Sequence, residues 1–459
     1  MSQSRKLLRL WLKKRRVNLS PTRIIALVFA GIILLGAVLL SLPVSARSGV
    51  SCGFRPALFT ATSATCVTGL VLYDTWTQWS GFGQAVIITL IEIGGLGFMS
   101  AASLVVFLFR RKVGLKQRLL MAQALSLNEM QGVVNLQKWV LIGSLSIQLL
   151  GALVLMLRFL PQYGFRQAAV WGIFHSISAF CNAGFDIFGA INPGASIITF
   201  NHDPVVCITL MVLITVGGLG FFVWEELARV HSFKKFSVYT KLVLITTAVL
   251  IAAGAGAILL AEWSNPQTLG AMSPGQKILN AFFQSVTLRT AGFASVDQAA
   301  LTEAGKGISM LLMLIGGSSG STAGGLKTVT FVVLLLFIWN RARGRNTVTV
   351  FRRTIPADKV MDAATIASIM VGLSVLGAIV ISATSPVSFT DSLYEAVSAL
   401  ATVGLTAGAT PMLSIPAQLL LIVFMYFGRV GVLTISLGFL MGNKAQERFR
   451  YANTNLLIG

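Results

Sequence analysis

The 459-residue sequence predicts an all-α polytopic membrane protein built as four tandem repeats of span, half-buried helix, glycine turn and span. Three observations carry this. First, 55% of the residues are hydrophobic and 11% charged, against about 25% charged in soluble domains. Second, eight apolar runs reach the ~20 residues that a spanning helix requires. Third, a short segment ending in glycine recurs four times at near-constant spacing. Disorder is excluded because it needs low hydrophobicity.

The apolar runs lie near 23–45, 84–109, 136–160, 204–227, 242–261, 308–339, 363–383 and 417–441. The first carries no small-residue cleavage signal, which argues against a cleaved signal peptide. An even number of spans puts both ends on one side. Arg5, Lys6, Arg9, Lys13, Lys14, Arg15, Arg16 and Arg23 precede or open the first run. Further basic clusters fall at 110–118, 229–241, 341–359 and 444–450, always in alternate connections. The positive-inside rule therefore places both termini in the cytoplasm. Most of the net charge of +21 is a topology signal, with some attraction to anionic membrane lipid. No nucleic-acid partner is expected, because no aromatic residues interleave the basic clusters.

The recurring segments are Ser63–Leu70, Ser178–Phe185, Val286–Phe293 and Ser398–Leu405, with glycine at 69, 184, 292 and 404. The glycines are 115, 108 and 112 residues apart. Helix-compatible stretches precede them at 56–65, 167–180, 275–288 and 390–400, with Ser51, Ser273 and Thr390 as caps near three of the starts. A second glycine cluster follows at Gly94-Gly95, Gly217-Gly218, Gly316-Gly317 and Gly428. The resulting division is a basic tail at 1–22, repeat 1 at 23–109, a linker at 110–135, repeat 2 at 136–228 and a linker at 229–241. Repeat 3 follows at 242–340, a linker at 341–362, repeat 4 at 363–441 and a tail at 442–459.

Non-helical backbone at membrane depth is tolerated only where protein buries it or where it lines an aqueous cavity. Two readings of the turns follow. They are re-entrant packing turns, or they converge on one axis where backbone carbonyls replace the hydration shell of a cation. Four matching turns in one chain favour the second.

With these residues in view, the chain resembles the Trk/Ktr/HKT superfamily of potassium transporters over almost its whole length. Thr402-Val403-Gly404 reproduces the T-V-G core of the potassium-channel filter, and the other turns keep the glycine. The short stretch before the first span resembles the bacterial Ktr-type membrane subunit more than the Trk type. The resemblance implies eight spanning helices and four re-entrant pore helices around a pseudo-fourfold pore. It implies potassium uptake across the bacterial plasma membrane, and no enzymatic activity. The implied filter residues are Val67, Thr68 and Gly69; Asn182, Ala183 and Gly184; Thr290, Ala291 and Gly292; and Thr402, Val403 and Gly404, with potassium as the ion held there. Asn182, a polar residue, either bonds behind the filter or faces the pore.

The stretch Gly316, Gly317, Ser318, Ser319, Gly320, Ser321, Thr322, Ala323, Gly324, Gly325, Leu326 and Lys327 holds five glycines and four hydroxyls, and should break a helix. It is not a phosphate-binding P-loop, since Leu326 separates Gly325 from Lys327. The resemblance makes it an intramembrane gating loop under the filter, ended by Lys327. Close helix packing by small residues is the other reading. Arg429, inside the last apolar run with some twelve apolar residues after it, is functional by default at that depth. The resemblance makes it a pore-facing charge beside the gating loop. Glu92 is either its counter-charge or part of the inner cavity wall. Arg289 reads as a structural anchor behind the third turn, paired to Asp391 or Glu395, and Cys66 and Cys181 read as small packing residues.

Three histidines and four cysteines in no ligand pattern signal no metal centre, and no bound cofactor is expected. By resemblance, the partners are a second copy of the chain and a cytosolic Ktr-type ring of RCK domains that binds ATP or ADP, with sodium as an activator. The segment 341–353 and the C-terminal 455–459 are candidate contact surfaces. A sodium-permeable or strictly coupled symporter is the rival within transport. A membrane-embedded enzyme and a non-conducting scaffold are the rivals outside it.

Overall fold

A computed structural model describes residues 21–97 and 133–431. The basic clusters before residue 21, at 110–118 and at 444–450, and the tail 455–459 lie outside the described residues. Each repeat opens with a long apolar leading helix: Pro21–Ser41, the first part of Val133–Phe180, Val238–Glu262 and Ala357–Thr384. These are long and apolar enough to cross a membrane. Their lipid-side residues, such as Leu35, Leu149, Leu260 and Leu376, are exposed, as bilayer-facing positions must be.

A shorter, buried half-helix follows in each repeat: Phe54–Thr65, the segment of Val133–Phe180 beyond its break at Gly164, Pro274–Thr287 and Phe389–Leu400. Gly164, at φ 72°, divides the second leading helix from its half-helix. The caps differ in part from those expected. Ser273 does cap its helix, in a box with Gln276. Gly53 stands where Ser51 was expected and Ser388 where Thr390 was, because a cap is the residue immediately before the first helical turn.

The trailing helices depart most from the sequence reading, which gave each a continuous span except in the third repeat. Two of the four are interrupted within the described residues, and the other two end at a left-handed glycine where the described residues stop. Gly81–Leu96 ends at Gly97 (φ 83°), and Ile415–Val430 ends at Gly431 (φ 96°). Pro204–Leu219 ends at Gly220 (φ 93°), and Phe221–Arg229 leaves it at 94°. Glu303–Leu314 and Thr328–Ala342 are separated by the glycine–serine stretch. Hydropathy averages over a window, so a single left-handed glycine inside an apolar run leaves no trace in it.

The second glycine cluster has a specific cause. A Cβ on Gly94, Gly217 or Gly428 would collide with the carbonyl oxygen of Thr65, Phe180 or Leu400, in each case the last residue of that repeat's half-helix. The trailing helix thus approaches the C-terminal end of the half-helix backbone to backbone. The half-helices are inside this cage, with Thr62, Ser63, Ser178, Ser285 and Ser398 buried.

In the connection after repeat 3, taken as linker only, Val348–Val350 pairs with Arg353–Ile355 in an antiparallel hairpin. Phe351 and Arg352, both at positive φ, form its two-residue turn.

Candidate functional site

The four turns leave the C-terminal ends of the half-helices, where helix carbonyls lack intrahelical partners. Their backbone repeats one pattern. Val67, Asn182, Thr290 and Thr402 have φ of 55°, 59°, 67° and 52°. The glycine two residues later has φ of 102°, 69°, 82° and 92°. Left-handed non-glycine residues are uncommon, and one at the same place in four repeats marks a conformation held by its surroundings.

Backbone donors show which way each turn faces. Val67 N–H donates to Ala64 O (3.2 Å), Thr68 N–H to Ser63 O (2.8 Å) and Gly69 N–H to Ser63 Oγ (3.0 Å). In the fourth turn Thr402 N–H donates to Ala399 O (3.2 Å), Val403 N–H to Ser398 O (2.8 Å) and Gly404 N–H to Ser398 Oγ (3.1 Å). In a planar trans peptide the carbonyl opposes the N–H. With the donors turned back to the half-helix, the carbonyls of Val67, Thr68, Thr402 and Val403 face away from it. The second turn keeps the bonds from Asn182 N–H to Ala179 O (3.0 Å) and Ala183 N–H to Ser178 O (2.8 Å). In the third, Ala291 N–H donates to Thr287 O (2.8 Å). The hydroxyls of Ser178 and Thr287 are used differently, donating to Phe185 O and Phe293 O, both at 2.7 Å. The first and fourth turns therefore match, while the second and third each depart from them.

The turns meet in cyclic order. A Cβ on Gly69 would lie 2.6 Å from Ala183 O, on Gly184 2.8 Å from Ala291 O and on Gly292 2.6 Å from Val403 O; one on Gly404 would collide with Thr68 O. The carbonyl preceding each glycine thus abuts the glycine of the turn before it, and the ring closes from fourth to first. Asn182 is buried, and its Oδ1 accepts from Thr322 Oγ1 at 3.2 Å.

Above the glycines opens a cavity of about 280 Å³ whose floor is Gly69, Gly184, Gly292 and Gly404 and whose walls include Asp74, Asp186 and Asp297. Burial, reinforced by the charge of Asp74, pushes the Asp186 carboxyl up to about 7. The group is neutral below that pH and ionised above it, so cation attraction at this mouth strengthens as pH rises through 7. One unit charge ~8 Å from a cation at an effective dielectric of ~40 contributes about 1 kcal/mol. Half-saturation of cation uptake is expected to fall roughly fivefold between pH 6 and pH 8, and Asp186→Asn to remove that difference. An unchanged pH profile in the variant would refute the assignment.

Beneath the ring sits the stretch 316–327. Thr322 Oγ1 donates to Phe180 O (3.1 Å), and Gly324 N–H to Thr290 Oγ1 (3.2 Å). A Cβ on Gly324 would collide with Thr402 Oγ1. Its two ends are drawn together by Gly316 N–H to Leu326 O and Leu326 N–H to Leu314 O, both 2.9 Å. It is also tied to the break in repeat 2: Ser318 N–H donates to Gly218 O (3.0 Å) and Phe221 N–H to Gly320 O (2.8 Å). Tyr239 Oη donates to Ser319 O at 2.9 Å. Ser321 Oγ donates to Ser318 O (2.7 Å), Lys327 Nζ donates to Ala323 O (2.8 Å), and Gly317 O accepts from Thr328 N–H (3.0 Å). Gly325 turns the chain at φ 65°.

Arg429 bridges this stretch to repeat 1. Its guanidinium donates to Thr322 O, to Gly94 O and, at 3.0 Å, to Gly95 O. It occupies the last turn of Ile415–Val430, not the middle of a continuing helix, because Gly431 ends that helix.

Two expected partnerships are corrected. Arg289 donates to Gly316 O and Thr328 Oγ1, both at 3.3 Å, so it anchors the base of the glycine–serine stretch. Asp391 pairs instead with Lys306 (2.7 Å). Glu395 accepts from Ala407 N–H (3.1 Å) and from the hydroxyls of Thr406 and Thr410. Glu92 accepts from Gln148 Nε2 (3.0 Å) and Cys181 Sγ (3.3 Å), a buried network behind the second turn in place of a counter-charge. Cys181 is thereby a hydrogen-bonding residue as well as a packed one. Sequence reading missed the three carboxylates at the mouth. Asp74 and Asp297 each stand five residues after their repeat glycine and Asp186 two after its own, which is the signal that could have found them.

Residues 21–448 match the family model described as TrkH, cation transport protein. The chain belongs to that family. It is 40% identical to the potassium/sodium uptake protein NtpJ of Enterococcus hirae, covering 98% of this chain and 99% of that one. It is 39% identical to the Ktr system potassium uptake protein B of Bacillus subtilis, covering 96% and 98%. The fold matches the crystal structure of the potassium transporter TrkH from Vibrio parahaemolyticus with a TM-score of 0.72 at 18% identity, over 94% of this chain and 86% of that one. This TrkH-family chain is a multi-pass membrane protein, and its family is one of cation transporters, not of enzymes.

Proposed function

We propose that this chain is the potassium-translocating subunit of a Ktr-type uptake system in the bacterial plasma membrane, with both termini cytoplasmic. The observation that carries this reading is the closed ring of four turns whose carbonyls face away from their half-helices. Carbonyls of 67–69, 182–184, 290–292 and 402–404 supply the oxygens that replace water around a dehydrating cation. The stretch 316–327 blocks the path below them, and Arg429 holds it shut while its charge opposes cation entry. Charged residues at this depth face the bundle interior. Opening is assigned to a cytosolic RCK-type ring that binds ATP or ADP, docked on a homodimer of this chain. Sodium acts as an activator in this scheme, and the chain itself binds no cofactor.

The test is uptake of radioactive rubidium into proteoliposomes holding this chain alone, with potassium or sodium as competitor. Potassium is expected to block uptake at concentrations at least tenfold lower than sodium. Equal competition would sink the potassium assignment and leave a cation pore of low selectivity.

A further inference from the structure

The position nine residues before each repeat glycine is held by Thr60, His175, Phe283 and Glu395, all buried. In two repeats this side chain grips the chain after the turn. Ile187 N–H donates to His175 Nε2 at 3.2 Å, and Ala407 N–H donates to Glu395 Oε1 at 3.1 Å. Ile187 and Ala407 each lie three residues beyond their glycine. Two unlike side chains thus perform one act at one structural position.

Each brace is itself held. Because Ile187 N–H can only donate, His175 Nε2 is the acceptor. Nδ1 then carries the proton, donating to Trp171 O at 2.7 Å. The imidazole stacks on Phe188, with ring centroids 3.8 Å apart and planes 10° from parallel. Glu395 takes its remaining donors from Thr406 and Thr410 hydroxyls on the same segment. At the same position the other repeats make no such bond among the described residues: Phe283 has no polar atom, and Thr60 does not reach Leu72. The turns contact one another in the order first, second, third, fourth, so the two braced walls stand opposite each other across the axis.

Resting on the pore reading above, we infer that His175 and Glu395 are positioning residues for ion selection. They fix the segment just outside the glycines on two opposite walls, and so fix the outermost carbonyls of those walls. The size and rigidity of such a ring, together with its carbonyl field, decide which cation it accepts. Loss of a brace lets two facing walls relax and admits an ion of different radius.

The experiment compares rubidium and sodium uptake by the full chain in proteoliposomes for wild type, His175→Leu, Glu395→Leu, Glu395→Gln and Phe283→Leu. The rubidium-over-sodium preference is expected to fall at least tenfold in His175→Leu and Glu395→Leu. Glu395→Gln keeps an acceptor for Ala407 N–H and should stay within twofold of wild type. Phe283→Leu changes a buried volume at the same position without touching a brace, and should also keep its preference. Leucine variants that are monodisperse and select like wild type would overturn the inference, as would an equal loss in Phe283→Leu. If the leucine variants aggregate, Thr406→Val and Thr410→Val each remove one donor from Glu395. They are then expected to lower the preference two- to threefold, and an unaltered preference in both counts against the brace. Absence of potassium-blocked uptake both in the wild type and in the chain lacking 318–323 would instead defeat the pore reading itself.

Discussion

Replacing Gly404 by serine or alanine is expected to cut rubidium uptake by about 100-fold while leaving the helices intact. At φ 92° any side chain at this position is strained, and its Cβ would collide with Thr68 O and lie 2.8 Å from Gly69 Cα. Every atom in the way is backbone, so no rotamer change relieves the contact. Strain of this kind costs about 1–3 kcal/mol and displaces the Thr68 carbonyl that the ring requires. Gly372→Ala is the matched control. Gly372 lies within the helix Ala357–Thr384 with nothing near its missing Cβ, so alanine there should preserve uptake and add up to ~1 kcal/mol of helix stability. Equal uptake by the Gly404 and Gly372 variants would show that the ring is not the ion path.

Deleting residues 318–323 is expected to raise uptake by about tenfold or more. The deletion removes Thr322, with its bonds to Phe180 O, to Asn182 and from Arg429, along with the Ser318 bond to Gly218. At ~0.5–1.5 kcal/mol net for each hydrogen bond, three or four such bonds favour the closed arrangement by roughly 2–5 kcal/mol. Arg429→Gln removes only one anchor of the stretch, and a smaller rise follows. Unchanged or lower uptake in a folded deletion variant would mean that 316–327 is a packing element. Tyr239, in the first turn of Val238–Glu262, adds one further hydrogen bond to the same stretch through Ser319 O.

Much of this architecture was legible in residue order because its signals are local. A run of ~20 apolar residues has one stable fate in a membrane, and Gly69, Gly184, Gly292 and Gly404 each sit where no side chain fits. The break at 316–327 showed because five glycines and four hydroxyl residues within twelve positions cannot sustain a helix. Gly220 bends its span by 94°, yet it is one glycine in an apolar context and reads as continuous span.

Composition and periodicity determined the number of repeats, the place of each turn and the presence of a charge at Arg429. Tertiary structure alone decided the partners. Arg429 meets Gly94 O across 335 residues of chain, and Thr322 meets Asn182 across 140. Arg289, expected on a carboxylate, donates instead to Gly316 O, while Glu395 turns to its own repeat's outer segment. A buried polar group must find some partner, and sequence states that need. Which partner answers it depends on how four similar repeats close around an axis, and neither hydropathy nor helical period encodes that closure.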